Sequence, residues 1–248
     1  MLINGHNLNL EQSGPDHGSV VVLLHHGLGS VRAWHQQTPA LAEAGYRVIA
    51  YDRWGYGGSD PRPSLEVPAF NSDQNDLLNL LEQLGIRQAT LVGHSDGGTI
   101  ALYMAARHPD LVSSLVTVGA HIYVESKMQP GILGIRQAFE TDKRFRMGLK
   151  TAHGEKYEAV FHHWFDGWYQ AKSLSWDMRP LLTQLRCPTL VVQGEEDEHA
   201  SPQHARDIAG KIAGSELWLV PKANHMLPQE HASLFNERLL QFLEAHAV

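Results

Sequence analysis

The sequence predicts an α/β fold, in which a mostly parallel central sheet is flanked by helices and interrupted by a helical segment. Short apolar runs alternate with amphipathic runs up to residue 118, and the alternation resumes at residue 188. This rhythm is typical of parallel strands joined by helices. Residues 121–182 instead lack a strand-like run and carry many aromatic residues at helical spacing. We therefore expect a core of residues 1–120 and 183–248 and a helical lid of residues 121–182.

The predicted strands are short runs of β-branched and apolar residues. Residues 20–24, Val-Val-Val-Leu-Leu, have the continuous apolar character of a buried central strand. Residues 3–11, which include an Asn-Gly turn signal, are expected to form an opening hairpin with part of the segment that follows. The other expected strands are residues 46–51, 89–92, 111–118, 188–193 and 217–220.

The predicted helices show apolar residues three or four positions apart. The clearest is residues 71–84, in which several leucines share one face and Gly85 follows as a stop signal. Residues 31–44 are expected to form one continuous helix that ends at Gly45. Further helices are expected over residues 99–107, 202–213 and 232–246.

One stretch, Gly93-His94-Ser95-Asp96-Gly97-Gly98, lies between an expected strand and an expected helix. The pattern Gly-x-Ser-x-Gly at such a junction indicates a nucleophile elbow, a sharp turn that presents a serine. Glycines at the flanks leave the space that a strained turn requires. The following helix directs its free N–H groups towards the serine. We therefore predict Ser95 as a nucleophile, the alternative being a simple strand-to-helix turn.

A serine hydroxyl becomes a good nucleophile only when a base removes its proton. The expected base is a histidine held by a carboxylate, and in this kind of sheet both follow later strands. The loop Gly194-Glu195-Glu196-Asp197-Glu198 and the dipeptide Asn224-His225 have this placement. We predict His225 as the base and Asp197 as its acid, because Asp197 has the shorter side chain and a suitable position in its loop. Solvated loop residues are the alternative for both.

Two backbone N–H groups are expected to bind the negative oxygen that forms during acyl transfer. The loop His26-Gly27-Leu28-Gly29 follows the 20–24 strand, and its glycines let the backbone approach a ligand closely. We predict that the N–H groups of Leu28 and Asp96 form this oxyanion hole. A plain glycine turn is the alternative for the loop.

Composition argues against several other classes of function. The formal net charge of −7, without a basic cluster, disfavours a nucleic-acid partner or an anionic membrane surface. Cys187 is the only cysteine, and neither a signal peptide nor a membrane-spanning run is visible, so we expect a cytoplasmic location. We expect no metal or other cofactor, because the His162-His163 pair has no acid or cysteine at a useful spacing. The sequence does not indicate an oligomeric state.

Together these motifs resemble the α/β-hydrolase superfamily along nearly the whole chain. The matching stretches are the 26–29, 52–59, 93–98 and 194–197 segments and Asn224-His225. More closely, the chain resembles the valacyclovirase group, also called biphenyl-hydrolase-like proteins. That likeness rests on Ser95-Asp96-Gly97-Gly98, Gly119-Ala120, Tyr123-Val124, Trp164-Phe165-Asp166-Gly167, Cys187-Pro188 and Gly194-Glu195. The chain departs from the group at the doubled His25-His26, at His94 and in the Glu198-His199-Ala200-Ser201 loop.

The resemblance implies an ester hydrolase, and the group's action on amino acid esters implies Asp96 as the carboxylate that binds a substrate ammonium group. The residues alone leave a second interpretation open, in which Asp96 stabilises the helix dipole from the first helical turn. Trp164 and Trp168 of the lid are expected to contact substrate, although aromatic residues at helical spacing also form the core of a lid. Arg53 is expected to brace its loop through hydrogen bonds.

The sequence therefore predicts a serine hydrolase that cleaves small-molecule carboxylic esters, with α-amino acid esters among the candidate substrates. A carbon–carbon bond hydrolase, a lactonase and a cofactor-free perhydrolase would use the same residues and remain alternatives. A ligand-binding receptor with slow turnover is an alternative from another class.

Overall fold

The computed structural model describes residues 1–171 and 175–246. Within these residues the strands, in chain order, are β1 (Leu2–Ile3), β2 (His6–Asn7), β3 (Leu10–Ser13), β4 (Val20–Leu24), β5 (Arg47–Tyr51), β6 (Ala89–His94), β7 (Val112–Val118), β8 (Thr189–Gly194) and β9 (Glu216–Val220). β1 and β2 form an opening hairpin. The others form one sheet in the order β3-β5-β4-β6-β7-β8-β9, in which β3 is antiparallel to β5 and every other pair is parallel. The predicted α/β fold is confirmed.

The helices lie on both faces of this sheet and in the segment between β7 and β8. In chain order they are α1 (Gln37–Glu43), α2 (Asn71–Gln83), α3 (Asp96–Arg107), α4 (Met128–Thr141), α5 (Lys143–His153), α6 (Tyr157–Ala171), α7 (Arg179–Leu182), α8 (Pro202–Lys211), α9 (Leu227–Glu230) and α10 (Ala232–Ala245). Four of the predicted helices appear as α2, α3, α8 and α10, with ends that differ by a few residues.

Successive residues of each buried strand pack against opposite layers of helices. Val21 of β4 lies in an apolar cluster with Leu41 of α1 and Phe235 of α10. Val22, the next residue, lies in a second cluster with Leu77 of α2. Because side chains alternate along a strand, the continuous apolar runs in the sequence cover both faces of the sheet. The carboxyl ends of the parallel strands are left to form a ligand site at one edge.

The prediction of one continuous helix over residues 31–44 is wrong. The segment forms a short 3-10 helix at Val31–Trp34, followed by α1. Pro39 explains the break, because proline has no N–H to donate to the carbonyl four residues earlier and its ring clashes with that carbonyl. It is tolerated in the first turn of α1, where an N–H would have no helical partner.

The segment between β7 and β8 is helical, as expected from its aromatic residues. Residues 121–182 contain α4 to α7 and no strand among the described residues, apart from an isolated antiparallel bridge between Tyr123 and Asp177. Residues 172–174 of the predicted lid lie outside the described residues. That this segment acts as a lid domain stays a prediction. No helix in the described ranges combines the length and apolar character needed to cross a membrane.

Candidate active site

Ser95 occupies the sharp turn between β6 and α3. Its backbone has φ 54° and ψ −118°, a conformation that costs a non-glycine residue about 1–3 kcal/mol. The turn is held on both sides, because the Ser95 N–H donates to Val118 O (2.8 Å) and Ser95 O accepts from the Thr99 N–H (3.0 Å). The surrounding hydrogen bonds therefore keep the serine in a conformation that an isolated chain would avoid.

Two glycines of the serine motif are required by close backbone contacts. A Cβ at Gly93 would lie 2.3 Å from Gly97 O, and a Cβ at Gly97 would lie 2.1 Å from Leu24 O. A side chain at Gly93 would therefore clash with the first residues of α3, and a side chain at Gly97 would clash with the end of β4. The Gly-x-Ser-x-Gly pattern thus reflects how tightly the turn packs against its own helix and against the neighbouring strand.

His225 and Asp197 form a buried hydrogen-bonded pair. The His225 Nδ1–H donates to Asp197 Oδ2 over 2.8 Å. The carboxylate accepts three further hydrogen bonds, from Gln193 Nε2 (2.6 Å) and from the N–H groups of His199 (2.8 Å) and Ala200 (2.9 Å). Because a carboxylate only accepts, the imidazole carries its proton on Nδ1, which leaves a lone pair on Nε2.

The pair shifts the pKa of both partners. Burial alone would lower the pKa of His225, but the charge of Asp197 and its hydrogen bond outweigh burial and raise that pKa above 6.5. Burial alone would raise the pKa of Asp197, but the His225 charge and hydrogen bonds hold it well below 3.8. At neutral pH Asp197 is therefore ionised, and it favours a proton on His225.

Ser95 and His225 line the same cavity. Within the described part of the chain, no hydrogen bond joins the Ser95 hydroxyl to the His225 ring. Catalytic hydrogen bonds are often long in a ligand-free enzyme and shorten when substrate binds. Proton transfer between these two groups therefore requires that their hydrogen bond form in the substrate complex.

Leu28 and Asp96, the predicted oxyanion-hole residues, line the cavity that contains Ser95. Neither of their N–H groups donates a hydrogen bond to another described residue. Asp96 begins α3, where the first N–H groups of a helix have no helical partner. The His153 Nε2–H donates to Leu28 O (3.0 Å), and His153 Nδ1 accepts from the Gly57 N–H (2.9 Å). A residue of α5 thereby holds the Leu28 backbone.

The cavity has a volume of about 260 Å³ and a largely apolar wall from the inserted helices. Met128 and Ile132 of α4, Leu149 of α5, and Trp164 and Trp168 of α6 contribute to this wall. The two tryptophans predicted to contact substrate are thus both cavity residues. A pocket with apolar walls and a few polar groups is typical of a small-molecule site.

Two of the histidines that depart from the resembled group donate hydrogen bonds to the backbone of cavity-lining residues. The His94 Nε2–H donates to His225 O (2.9 Å). The His25 Nδ1–H donates to His26 O (2.8 Å), and His25 Nε2 accepts from the Arg53 N–H (3.1 Å). Burial lowers the pKa of His25 and lowers that of His94 to about 3, so both rings are neutral near pH 7.

The Asp96 carboxylate, only 1% exposed as a side chain, has two partners within the protein. Oδ1 accepts from the Trp168 Nε1–H over 3.0 Å, and Oδ2 lies 3.5 Å from Arg53 Nη2. Burial raises the pKa of Asp96, while Arg53 and the Trp168 hydrogen bond oppose that rise. Arg53 therefore does more than brace its own loop, because its side chain reaches the residue after the serine.

Comparison with known proteins decides the family. A family model described as alpha/beta hydrolase fold matches residues 20–172. The chain belongs to this family. It is 35% identical to the serine hydrolase BPHL of Homo sapiens, over 98% of this chain and 84% of that protein. These two matches confirm the resemblance to the superfamily and to the biphenyl-hydrolase-like group.

Two other hydrolases are also similar to this chain. A 2-hydroxy-6-oxo-6-phenylhexa-2,4-dienoate hydrolase of Burkholderia cepacia is 25% identical, over 96% of this chain and 92% of that protein. The crystal structure of a hydrolase from Pseudomonas aeruginosa PA01 has a TM-score of 0.78 and 26% identity, with 97% of this chain and 95% of that chain covered.

Three residues of this candidate site are missing from the sequence prediction. Gln193 bonds Asp197, Glu198 Oε2 accepts from the His225 N–H (3.1 Å), and His153 bonds Leu28. Gln193 could have been noticed as the polar end of an apolar strand, and Glu198 as a further acid of its loop. His153 carries no such signal, because only the fold brings α5 to a loop far away in sequence.

Proposed function

We propose that this protein is a serine hydrolase that cleaves small-molecule carboxylic esters through a covalent acyl-enzyme. The observation that supports this best is the shared cavity. It brings together a serine on a strained turn, a histidine oriented by a buried carboxylate and two backbone N–H groups that donate to no other residue in the described ranges. These are the nucleophile, the base and the oxyanion donors that acyl transfer requires.

In the proposed first half-reaction, His225 Nε2 accepts the proton of the Ser95 hydroxyl as the Ser95 oxygen attacks the ester carbonyl carbon. The carbonyl oxygen becomes negative and accepts hydrogen bonds from the Leu28 and Asp96 N–H groups. Asp197 stabilises the imidazolium through its charge and its bond to Nδ1. His225 then gives its proton to the leaving alkoxide, and the carbon–oxygen bond to the alcohol breaks.

In the proposed second half-reaction, water takes the place of the alcohol. His225 accepts a proton from this water, whose oxygen attacks the acyl carbon bound to Ser95. This attack forms a tetrahedral intermediate, as the attack of Ser95 does in the first half-reaction. Its collapse breaks the bond between the acyl carbon and the Ser95 oxygen, which recovers its proton from His225. The products are a carboxylic acid and a free enzyme.

The test is a panel of p-nitrophenyl esters of graded acyl length, with the Ser95→Ala variant as control. We expect release of p-nitrophenol by the wild type, with a rate that varies with acyl length, and a loss of at least about 10³-fold in Ser95→Ala. Equal rates for the two proteins would contradict the proposal. Tight binding of a ligand without product release would instead indicate a receptor.

A second candidate is hydrolysis of a carbon–carbon bond next to a carbonyl, favoured by the similarity to the Burkholderia cepacia hydrolase. It would use the same serine, histidine and oxyanion donors on a dienoate substrate. Dienoate turnover without ester turnover would favour this candidate. Lactones and peroxide with a halide belong in the same panel, because they reveal a lactonase and a perhydrolase.

A cytoplasmic location also remains part of the proposal. It is supported by the single cysteine, Cys187, because proteins of oxidising compartments more often carry paired cysteines. Fractionation of the native host with an antibody against the protein tests it.

A further inference from the structure

We propose that the first residues after β7 hold the loop that carries Asp197, and that Glu125 is a positioning residue for this acid. The inference rests on the proposed serine hydrolase activity. Residues 121–127, the entry segment, lead from β7 to α4, and residues 197–201, the acid loop, lie between β8 and α8. Glu125 acts through the acid loop, because its carboxylate bonds Ser201 at the end of that loop.

Three side chains of the entry segment bond backbone groups of the acid loop. In loop order, the bonds are Lys127 Nζ to Asp197 O (2.5 Å), the His121 Nε2–H to His199 O (3.3 Å) and the Ser201 N–H to Glu125 Oε1 (2.7 Å). A backbone group removed from water needs such a partner. The entry segment therefore supplies partners that hold the loop at its beginning, middle and end.

Glu125 makes the most extensive of these contacts. Its Oε1 accepts from the Ser201 N–H, and its Oε2 accepts from the Ser201 hydroxyl over 2.8 Å. The buried His204 ring lies beside it, with Nε2 3.3 Å from Oε1, and His204 Nδ1 accepts from the Ile122 N–H (3.2 Å). Burial alone would raise the pKa of Glu125, but these hydrogen bonds outweigh burial and lower it to about 2. Glu125 is therefore a charged acceptor at neutral pH.

The acid loop in turn orients the Asp197 carboxylate. The N–H groups of His199 and Ala200 donate to Asp197 Oδ1 over 2.8 and 2.9 Å, while Oδ2 bonds His225. Ser201 follows Ala200 directly, so a shift of Ser201 would move these donors and turn the carboxylate relative to the imidazole. Small displacements of an oriented catalytic group can cost up to about 10²-fold in rate.

The helix that follows the entry segment also packs on the acid loop. A Cβ at Gly131 of α4 would lie 2.8 Å from His199 Nδ1 and 3.0 Å from Glu198 O. A Cβ at Gly134, in the same helix, would meet nothing within 4 Å. Because α4 also contributes Met128 to the cavity wall, one element contacts both the cavity and the acid loop.

The experiment measures kcat and KM of a p-nitrophenyl ester against pH for the wild type, Glu125→Ala and Glu125→Gln. Glu125→Ala removes both bonds to Ser201, so kcat should fall about tenfold or more with little change in KM. The pKa that governs the profile should also fall, because a misplaced Asp197 supports the His225 proton less well. Glu125→Gln removes the same charge but can still accept from the Ser201 N–H, so it should restore most of both quantities.

Other titratable groups face His225 from the elements around it. They are His26 after β4, His94 of β6, Asp96 of α3, His121 of the entry segment, and Glu198 and His199 of the acid loop. All of them are retained in every variant. A difference between Glu125→Ala and Glu125→Gln therefore reports on the Asp197–His225 pair and not on a lost charge.

Two controls match these changes. Glu140→Ala removes another acid of α4, whose exposed ion pair with Arg136 lies within that helix, and should change kcat less than about twofold. Gly131→Ala should lower kcat and the profile pKa in the same directions as Glu125→Ala, whereas Gly134→Ala should change neither. This glycine pair tests the inference even if Glu125→Ala does not fold.

The inference would be overturned by an unchanged kcat in Glu125→Ala, or by a lower kcat with an unchanged profile pKa, because Asp197 would then still be in place. An equal fall of this pKa in Glu125→Ala and Glu125→Gln, or equal kcat values in the two glycine variants, would also overturn it. Failure of the proposed function looks different, because the wild type would then hydrolyse the ester no faster than Ser95→Ala.

Discussion

Replacing Asp197 with asparagine is the most informative change in the proposed catalytic site. The carboxylate accepts four hydrogen bonds, two on Oδ1 from backbone N–H groups and two on Oδ2 from Gln193 and His225. An amide keeps only one oxygen. The backbone donors are fixed, so the oxygen should remain with them and the NH₂ group should face His225.

The expected loss follows from that arrangement. A donor facing Nδ1 requires the other imidazole tautomer, in which the Nε2 proton points towards Ser95 and no lone pair is left to act as a base. The negative charge that stabilises the imidazolium is lost as well. We expect kcat/KM to fall about 10⁴-fold, as for a comparable change in other serine hydrolases. That loss corresponds to about 5.5 kcal/mol of transition-state stabilisation.

The assay is the pH dependence of kcat/KM for a p-nitrophenyl ester. The base must be neutral, so wild-type activity should rise with pH through the pKa of His225, which lies above 6.5. In Asp197→Asn, burial is no longer opposed by the Asp197 charge. The pKa that governs the remaining activity should therefore move to lower pH.

Glu198→Gln is the matched control, since it is the same acid-to-amide change in the adjacent residue. The Glu198 carboxylate accepts from the His225 backbone N–H, and a glutamine oxygen can still accept that bond. We expect less than about a tenfold loss. A loss in Asp197→Asn no larger than in Glu198→Gln would refute the assignment of Asp197 as the orienting acid.

Two further changes test how the surroundings hold the site. His153→Phe removes the hydrogen bond to Leu28 O, so steady-state kinetics should show kcat reduced about tenfold with KM little changed. The His153→Gln variant, whose amide can donate that bond, should restore part of the lost kcat. An unchanged kcat in His153→Phe would contradict this role. A Cβ at Gly119 (φ +57°) would lie 3.0 Å from His225 Cε1, whereas one at Gly154 (φ +62°) would meet nothing within 4 Å. Both alanine variants should lower the unfolding temperature, because both glycines have a positive φ, but only Gly119→Ala should lower kcat. Equal losses of kcat in the two variants would contradict the contact between residue 119 and the His225 ring.

The parts of the fold that follow local patterns could be predicted from the sequence. The continuous apolar run of β4 and the leucine face of α2 are such patterns, because burial on a sheet and on a helix imposes different periods. The Gly-x-Ser-x-Gly motif can also be recognised in the sequence, because the close contacts at Gly93 and Gly97 exclude side chains at these two positions. Apolar spacing alone predicts a continuous helix over residues 31–44, because this spacing does not show the break that Pro39 causes.

The surroundings of the site depend on contacts between distant parts of the chain. Asp96 is paired by Arg53, 43 residues earlier, and by Trp168, 72 residues later. No local pattern indicates that these three side chains meet, so the sequence left the role of Asp96 open. The choice of Asp197 rested on its loop position, and the structure places it against His225 while Glu195 and Glu196 are exposed.

The most direct test of the account is to trap the acyl-enzyme. The protein is mixed with an excess of an activated p-nitrophenyl ester, quenched in acid within the first turnover and analysed by peptide mass spectrometry. The account predicts an acyl group on the peptide that contains Ser95, formed with a burst of p-nitrophenol and absent in Ser95→Ala. An acyl group on another residue, with the burst retained in Ser95→Ala, would contradict the proposal that Ser95 is the nucleophile.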